Sequence, residues 1–156
     1  MLQSLARIPL HLVFSTADRQ RVFLTLQMRD AVAGYITGIL KKLGCPVIRI
    51  GVATDHVHIL FLQSRTETIA NVVGAVKRDS SFWIKEQEWA HMNPDFAQFH
   101  WQKGYGIFSV SESNLAKVSN YIDGQLEHHK RCSFQDEYRL FLQRHNVSFD
   151  EKYVWE

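Results

Sequence analysis

Cysteine, proline and glycine are scarce, with two, three and eight residues respectively in a chain of 156. Cys45 and Cys132 lie far apart and form neither a Cys-x-x-Cys unit nor a disulfide framework, which leaves them as packing residues. The glycines and prolines are scattered, so there is no linker, low-complexity tract or internal repeat. Residues 1–156 are therefore expected to form one domain, with a core over 1–131 and a C-terminal helix and aromatic tail over 132–156. No apolar run approaches the roughly 20 residues of a membrane span. The start, Met1 to Arg7, lacks the basic stretch, apolar segment and cleavage site of a secretory signal, so a cytoplasmic protein with no membrane partner is expected. A Gly-rich phosphate loop ending in Gly-Lys-Ser/Thr is also missing, which argues against chemistry that consumes a nucleotide.

Charge of one sign is lacking too. Eighteen Lys and Arg against 16 Asp and Glu leave a formal charge of +2, which allows a basic face without demanding a polyanionic partner. What is plentiful is histidine, at eight residues, and aromatics, at 12% with four Trp. Both types serve metal sites and base stacking, so their placement decides.

Hydrophobic content of 46% fits a globular domain. Ile8 to Thr16 reads as a strand. Between Thr25 and Leu43, Leu26, Val32, Ile36, Ile39, Leu40 and Leu43 recur at helical spacing, with Gly44 at the C-cap. Pro46 to Ala53 and Val57 to Leu62 are β-rich runs separated by Thr54-Asp55-His56, which predicts a hairpin. A second helix is expected from Thr66 as N-cap to about Trp89, turning Ile69, Val72, Val73 and Val76 inward. Tyr105 to Val110 reads as a fourth strand after the Lys103-Gly104 turn. A third helix starts at Ser111 or Ser113, with Leu115, Val118, Ile122 and Leu126 on its buried face. A short helix over Gln135 to Arg144 and the tail Tyr153-Val154-Trp155 complete the chain. The order β-α-β-β-α-β predicts an α+β, ferredoxin-like sandwich: a four-stranded antiparallel sheet with two helices on one face and the extra helix on the other.

Two constellations could carry chemistry. In Asp55-His56-Val57-His58-Ile59-Leu60, the imidazoles at i and i+2 share one strand face, roughly 7 Å apart along the backbone. Val57, Ile59 and Phe61 then point into the helix-covered core and leave His56 and His58 on the open face of the sheet. Such rings can converge on a metal, though two half-buried strand histidines give the same pattern. On the third helix, Tyr121 and Gln125 at i and i+4 share a face. A Gln carbonyl oxygen is a hard donor suited to Mg²⁺ or Mn²⁺, and Tyr121 would be the nucleophile. A partly exposed aromatic on an amphipathic helix is the plainer reading of Tyr121. Gly124, mid-helix, costs about 1 kcal/mol relative to Ala, which points to close approach of another backbone or to a helix that moves. His128 and His129 are secondary candidates as ligand, proton carrier or solvated residues.

Asp55 to Leu60 in a hairpin, Trp101-Gln102-Lys103-Gly104-Tyr105-Gly106-Ile107-Phe108-Ser109-Val110, and Tyr121-Ile122-x-x-Gln125-x-x-His128-His129 resemble, in order and spacing, the HUH single-tyrosine transposases of small insertion sequences and their repeat-associated relatives. The resemblance covers nearly the whole chain, including Ser133 to Tyr138 and the Asp150 to Trp155 ending. It implies a divalent ion, Mg²⁺ or Mn²⁺, held by His56, His58 and Gln125. It also implies attack by Tyr121 on a phosphodiester of hairpin-bearing single-stranded DNA, giving a 5′-phosphotyrosine and a free 3′-hydroxyl. A homodimer is implied as well, in many members with the tyrosine helix of one subunit completing the site of the other. Gly124 departs from the Asn that relatives often carry. A domesticated hairpin-binding protein acting on repeated palindromes is the alternative.

Arg19 and Arg21 after the first strand, Lys77, Arg78 and Lys85 on the second helix, and Lys103 are candidates for DNA phosphate contact, or else belong to solvated faces. Trp83, Trp89 and Trp101 could stack on bases or fill the core. Tyr105 and Phe108 are assigned to strand packing.

Overall fold

The computed structural model describes residues 3–125 and 132–156. The strands are β1 (Pro9–Ser15), β2 (Val47–Val52), β3 (His56–Leu62) and β4 (Gly106–Ser109). The helices are α1 (Leu26–Lys42), α2 (Ile69–Lys85), α3 (Glu88–His91), α4 (Leu115–Asp123) and α5 (Phe134–Arg144). Side-chain oxygens start three of them: Thr25 accepts from Met28 N at 3.2 Å, Thr68 from Asn71 N at 3.1 Å, and Ser133 from Asp136 N at 3.2 Å.

Several boundaries differ from those read in the sequence. The cap of α2 is Thr68, because Thr66 is engaged with the Ser64 hydroxyl in the preceding loop at 3.0 Å. The same helix stops at Lys85; Gln87 is extended, and Trp89 belongs to α3. His56 is already within β3, and Tyr105 lies just outside β4. The tyrosine-bearing helix begins at Leu115, after a 3-10 turn over Glu112–Asn114. Gly44 takes the left-handed conformation, φ 69°, at the end of α1.

The strands form one antiparallel sheet in the order β2-β3-β1-β4, the ferredoxin-like arrangement. Leu10, Leu12, Phe14, Val57, Ile59 and Phe61 point to one face. There they pack against Val32, Ile36 and Leu40 of α1 and Val72, Val73 and Val76 of α2. Burying each such side chain contributes about 1.5 to 3 kcal/mol, which makes this layer the main source of stability.

The second face is not open. Phe134, Tyr138 and Leu142 of α5 close over Val13 and Phe108, and α4 packs against β2 and β3. His56 and His58 are 0% exposed beneath them. Two glycines permit this approach. A Cβ at Gly51 would lie 2.9 Å from Ile122 Cγ2 of α4, and one at Gly106 would lie 2.5 Å from the Tyr138 ring of α5. Gly124 is different, since among the described residues a Cβ there would meet only carbonyls of its own helix at 3.5 Å and beyond. The close approach of α4 among the described residues is at Gly51. Trp155 anchors the tail, its ring under Arg139 and Arg19 and its Nε1 donating to Glu151. No helix among the described residues is long and apolar enough to cross a membrane.

Candidate active site

Alternation along β3 turns both histidines toward α4 and α5, with ring centroids 5.2 Å apart. Each ring is held at Nδ1. The Asp55 carboxylate lies 2.6 Å from His56 Nδ1, and His11 Nε2, on the neighbouring β1, lies 2.9 Å from His58 Nδ1. Burial, then the neighbouring His58, hold His11 well below its ordinary value, so it is neutral and able to accept. The contact at Nδ1 fixes how each ring is turned and aims its Nε2 into the site.

Two more side chains meet these Nε2 atoms, and a third, Tyr121, reaches one of those two side chains. From α5, Glu137 places Oε1 2.9 Å from His58 and Oε2 3.9 Å from His56. The Tyr121 hydroxyl, from α4, donates to Glu137 Oε1. One turn further on, Gln125 sets Oε1 3.4 Å from His56 Nε2 while its amide donates to the Tyr121 carbonyl at 3.4 Å.

The electrostatics follow from this crowding. Burial alone would raise the Glu137 pKa, but the hydrogen bond and charge of His58, then Tyr121 and His56, outweigh it and bring the carboxyl down to about 2. Tyr121 moves the other way, raised by burial and then by the Glu137 charge, so its hydroxyl keeps its proton. His56, His58 and Glu137 offer ligand atoms that all lie within 4.8 Å of one another. Two imidazole nitrogens and a carboxylate, with the Gln125 carbonyl beside them, fit a divalent cation with coordination positions left over.

A model of the IS200-like transposase family matches residues 4–125. The chain belongs to this family. The ISDra2 transposase TnpA of Deinococcus radiodurans is 28% identical over 122 residues, covering 74% of this chain and 81% of that protein. Among solved structures, a candidate transposase from Deinococcus radiodurans R1 aligns with a TM-score of 0.63 at 22% identity, over 80% of this chain and 95% of its own. A REP-associated tyrosine transposase bound to a REP hairpin aligns at 0.57 and 11% identity, over 83% and 73%. At these identities the two structures show the shared fold.

In this IS200-like transposase, Tyr121, His56, His58 and Gln125 come together within one chain. His128 and His129 lie outside the described residues. The basic residues singled out from the sequence do not gather around Tyr121. Lys77, Arg78 and Lys85 belong to α2, on the opposite face of the sheet. The Lys77 ammonium donates to the carbonyls of Gln102, Lys103 and Gly104 at 2.8, 3.2 and 2.6 Å, which uses all three of its protons. Arg78 pairs with Asp79, Lys85 sits by the Phe82 ring, Arg19 covers Trp155, and Arg21 reaches Thr54; Lys103 is exposed. Trp101 is a core residue whose Nε1 donates to Ser80, while Trp83 stacks on Tyr35 and Trp89 packs on Phe96. Phe108 packs on the histidine face, and Tyr105 is exposed beside Lys77.

Sequence reasoning missed Glu137 and His11. Each carried a signal: an acid within the apolar stripe of α5, three residues after Phe134 and four before Phe141, and a histidine between Leu10 and Leu12, which alternation turns to the same sheet face as His56 and His58.

Proposed function

We propose that this chain cuts and rejoins single-stranded DNA at hairpin-bearing ends, through a covalent 5′-phosphotyrosine on Tyr121. The observation that carries the reading is the convergence of a tyrosine hydroxyl, two oriented imidazoles, an amide oxygen and a carboxylate in one buried site of an IS200-like transposase. Tyr121 Oη attacks the phosphorus and gives up its proton; the bond to the 3′ oxygen breaks, and that oxygen leaves as a hydroxyl carrying a proton. One ester replaces another, so the 3′-hydroxyl can reverse the step with no nucleotide consumed.

His56, His58, Gln125 and Glu137 would hold Mg²⁺ or Mn²⁺, which when bound supplies Lewis acidity at the scissile phosphate. Asp55 and His11 orient the two rings, and Gln125 ties the metal side of the site to the backbone of Tyr121. The arrangement described is a resting one. Tyr121 is protonated and donates to Glu137, and α5 lies over the imidazoles. The family resemblance implies a homodimer.

The burial of both histidines under α5 favours a second reading, a hairpin-binding protein that retains the site and rarely cuts. A denaturing gel separates the two. Labelled hairpins from the flanking DNA are incubated with protein in Mg²⁺, Mn²⁺ or EDTA, alongside Tyr121→Phe. A metal-dependent adduct, missing from the variant, supports strand transfer; salt-sensitive binding without any adduct supports the binder.

A further inference from the structure

Two recesses meet at Tyr121. One, about 220 Å³, lies between α4, the end of β4 and the C-terminal half of α5, and is walled by Phe108, Phe141 and His145. The other, about 230 Å³, lies across Phe141, and both share Tyr121, Phe141 and Arg144. Lys117 on α4 and Arg144 on α5 stand exposed on the first recess, and among the described residues no carboxylate lines it. Among the described residues neither cation has an ion-pair partner, whereas Arg7, Arg49, Arg78 and Arg139 each have one. Phe108 stacks against both His145 and Phe141, at 4.5 and 5.7 Å, which presents a row of parallel rings.

Unpaired cations from two helices, an aromatic wall between them and a tyrosine hydroxyl at the inner end form a combination suited to a nucleotide. Cations take phosphates, and rings take a base of any identity. The volume is on the scale of one nucleotide unit and not of a duplex, and Tyr121, Phe141 and Arg144 border both recesses. We propose that this recess is the subsite for the unpaired nucleotide next to the phosphate that Tyr121 attacks, with Lys117 and Arg144 on its phosphates and Phe141 and His145 against its base. The proposal rests on the strand-transfer reading for the identity of the strand, and it places DNA contacts on α4 and α5 rather than on α2.

The test is fluorescence anisotropy in EDTA, where no cleavage confuses binding. It uses a labelled DNA hairpin with a short single-stranded flank and the same hairpin without it. Lys117→Ala with Arg144→Ala, both surface changes, should weaken binding of the flanked hairpin about tenfold or more and make its log–log salt dependence shallower by roughly 1.4. Binding of the blunt hairpin should be unchanged. A 2-aminopurine at the first flank position should be quenched on binding to the natural chain and less so with His145→Ala. Equal losses on both hairpins, or no loss on either, would overturn the subsite. The adduct gel reports separately: an adduct with no effect of these variants removes the subsite and leaves strand transfer, and flank-dependent binding without an adduct does the reverse.

Discussion

His11 Nε2 and His58 Nδ1 face each other at 2.9 Å across β1 and β3, sealed from solvent. His11 touches no other part of the site's metal-facing edge, so its contribution is the orientation of His58. Replacing it by Leu keeps the volume roughly constant but leaves His58 free to turn or to change tautomer. The expected outcome is a 10- to 100-fold loss of Mn²⁺ affinity, measured by calorimetry, with the fold intact by circular dichroism. His11→Gln, which restores an acceptor, should recover part of that loss; equal affinity in all three proteins would rule out the orienting role.

Glu137 makes acid stability of the metal-free protein a readout of the same site. Its folded pKa of about 2 lies below the ordinary value of 4.5, so it stabilises the fold above pH 4.5 and loses that contribution as pH falls toward 2. The size is on the order of 3 kcal/mol. Urea unfolding across this range should show the natural chain losing more stability than Glu137→Gln, which has no charge to lose there. Parallel curves for the two proteins would show that the carboxylate is not stabilised as the geometry implies.

Gly51 fixes how closely the tyrosine helix sits on the sheet. A methyl group there would be 2.9 Å from Ile122 Cγ2 and 3.1 Å from the Ile122 carbonyl oxygen, and the second of these cannot swing away. Gly51→Ala should therefore lift α4 and carry Tyr121 and Gln125 off the His pair, at about 1 to 3 kcal/mol of stability. Adduct formation should fall by more than hairpin affinity does. Unchanged rates of adduct formation would mean that α4 tolerates the shift.

How much of this was legible follows from where each signal is carried. The alternation of Leu10, Leu12 and Phe14, and the helical spacing of Val32, Ile36 and Leu40, are local patterns, and they led to the ferredoxin-like plan. The pairs His56 with His58 and Tyr121 with Gln125 are also local, each sharing one face of one element. Glu137 is another matter: its meaning depends on α5 folding back over the part of the sheet face that α4 does not cover, and spacing along the chain does not encode that return. The end of α2 was misplaced because the apolar pattern continues through Trp83 and Trp89 while the backbone extends at Gln87.

Lys77 shows why a basic residue on a helix is a poor guide to a nucleic-acid face. Its ammonium is turned inward, bonded to three carbonyls of the Gln102 to Gly104 segment and lying between the Phe14 and Tyr105 rings. Burial lowers its pKa to about 8, yet it stays largely charged at neutral pH, and it ties α2 to the segment that leads into β4. Lys77→Met keeps the aliphatic stem and removes the donors, leaving half-buried carbonyls unsatisfied. The expected cost is about 1.5 to 3 kcal/mol in urea unfolding, with the salt dependence of hairpin binding unchanged. A shallower salt dependence at unchanged stability would instead put Lys77 on the DNA and turn attention back to the α2 face.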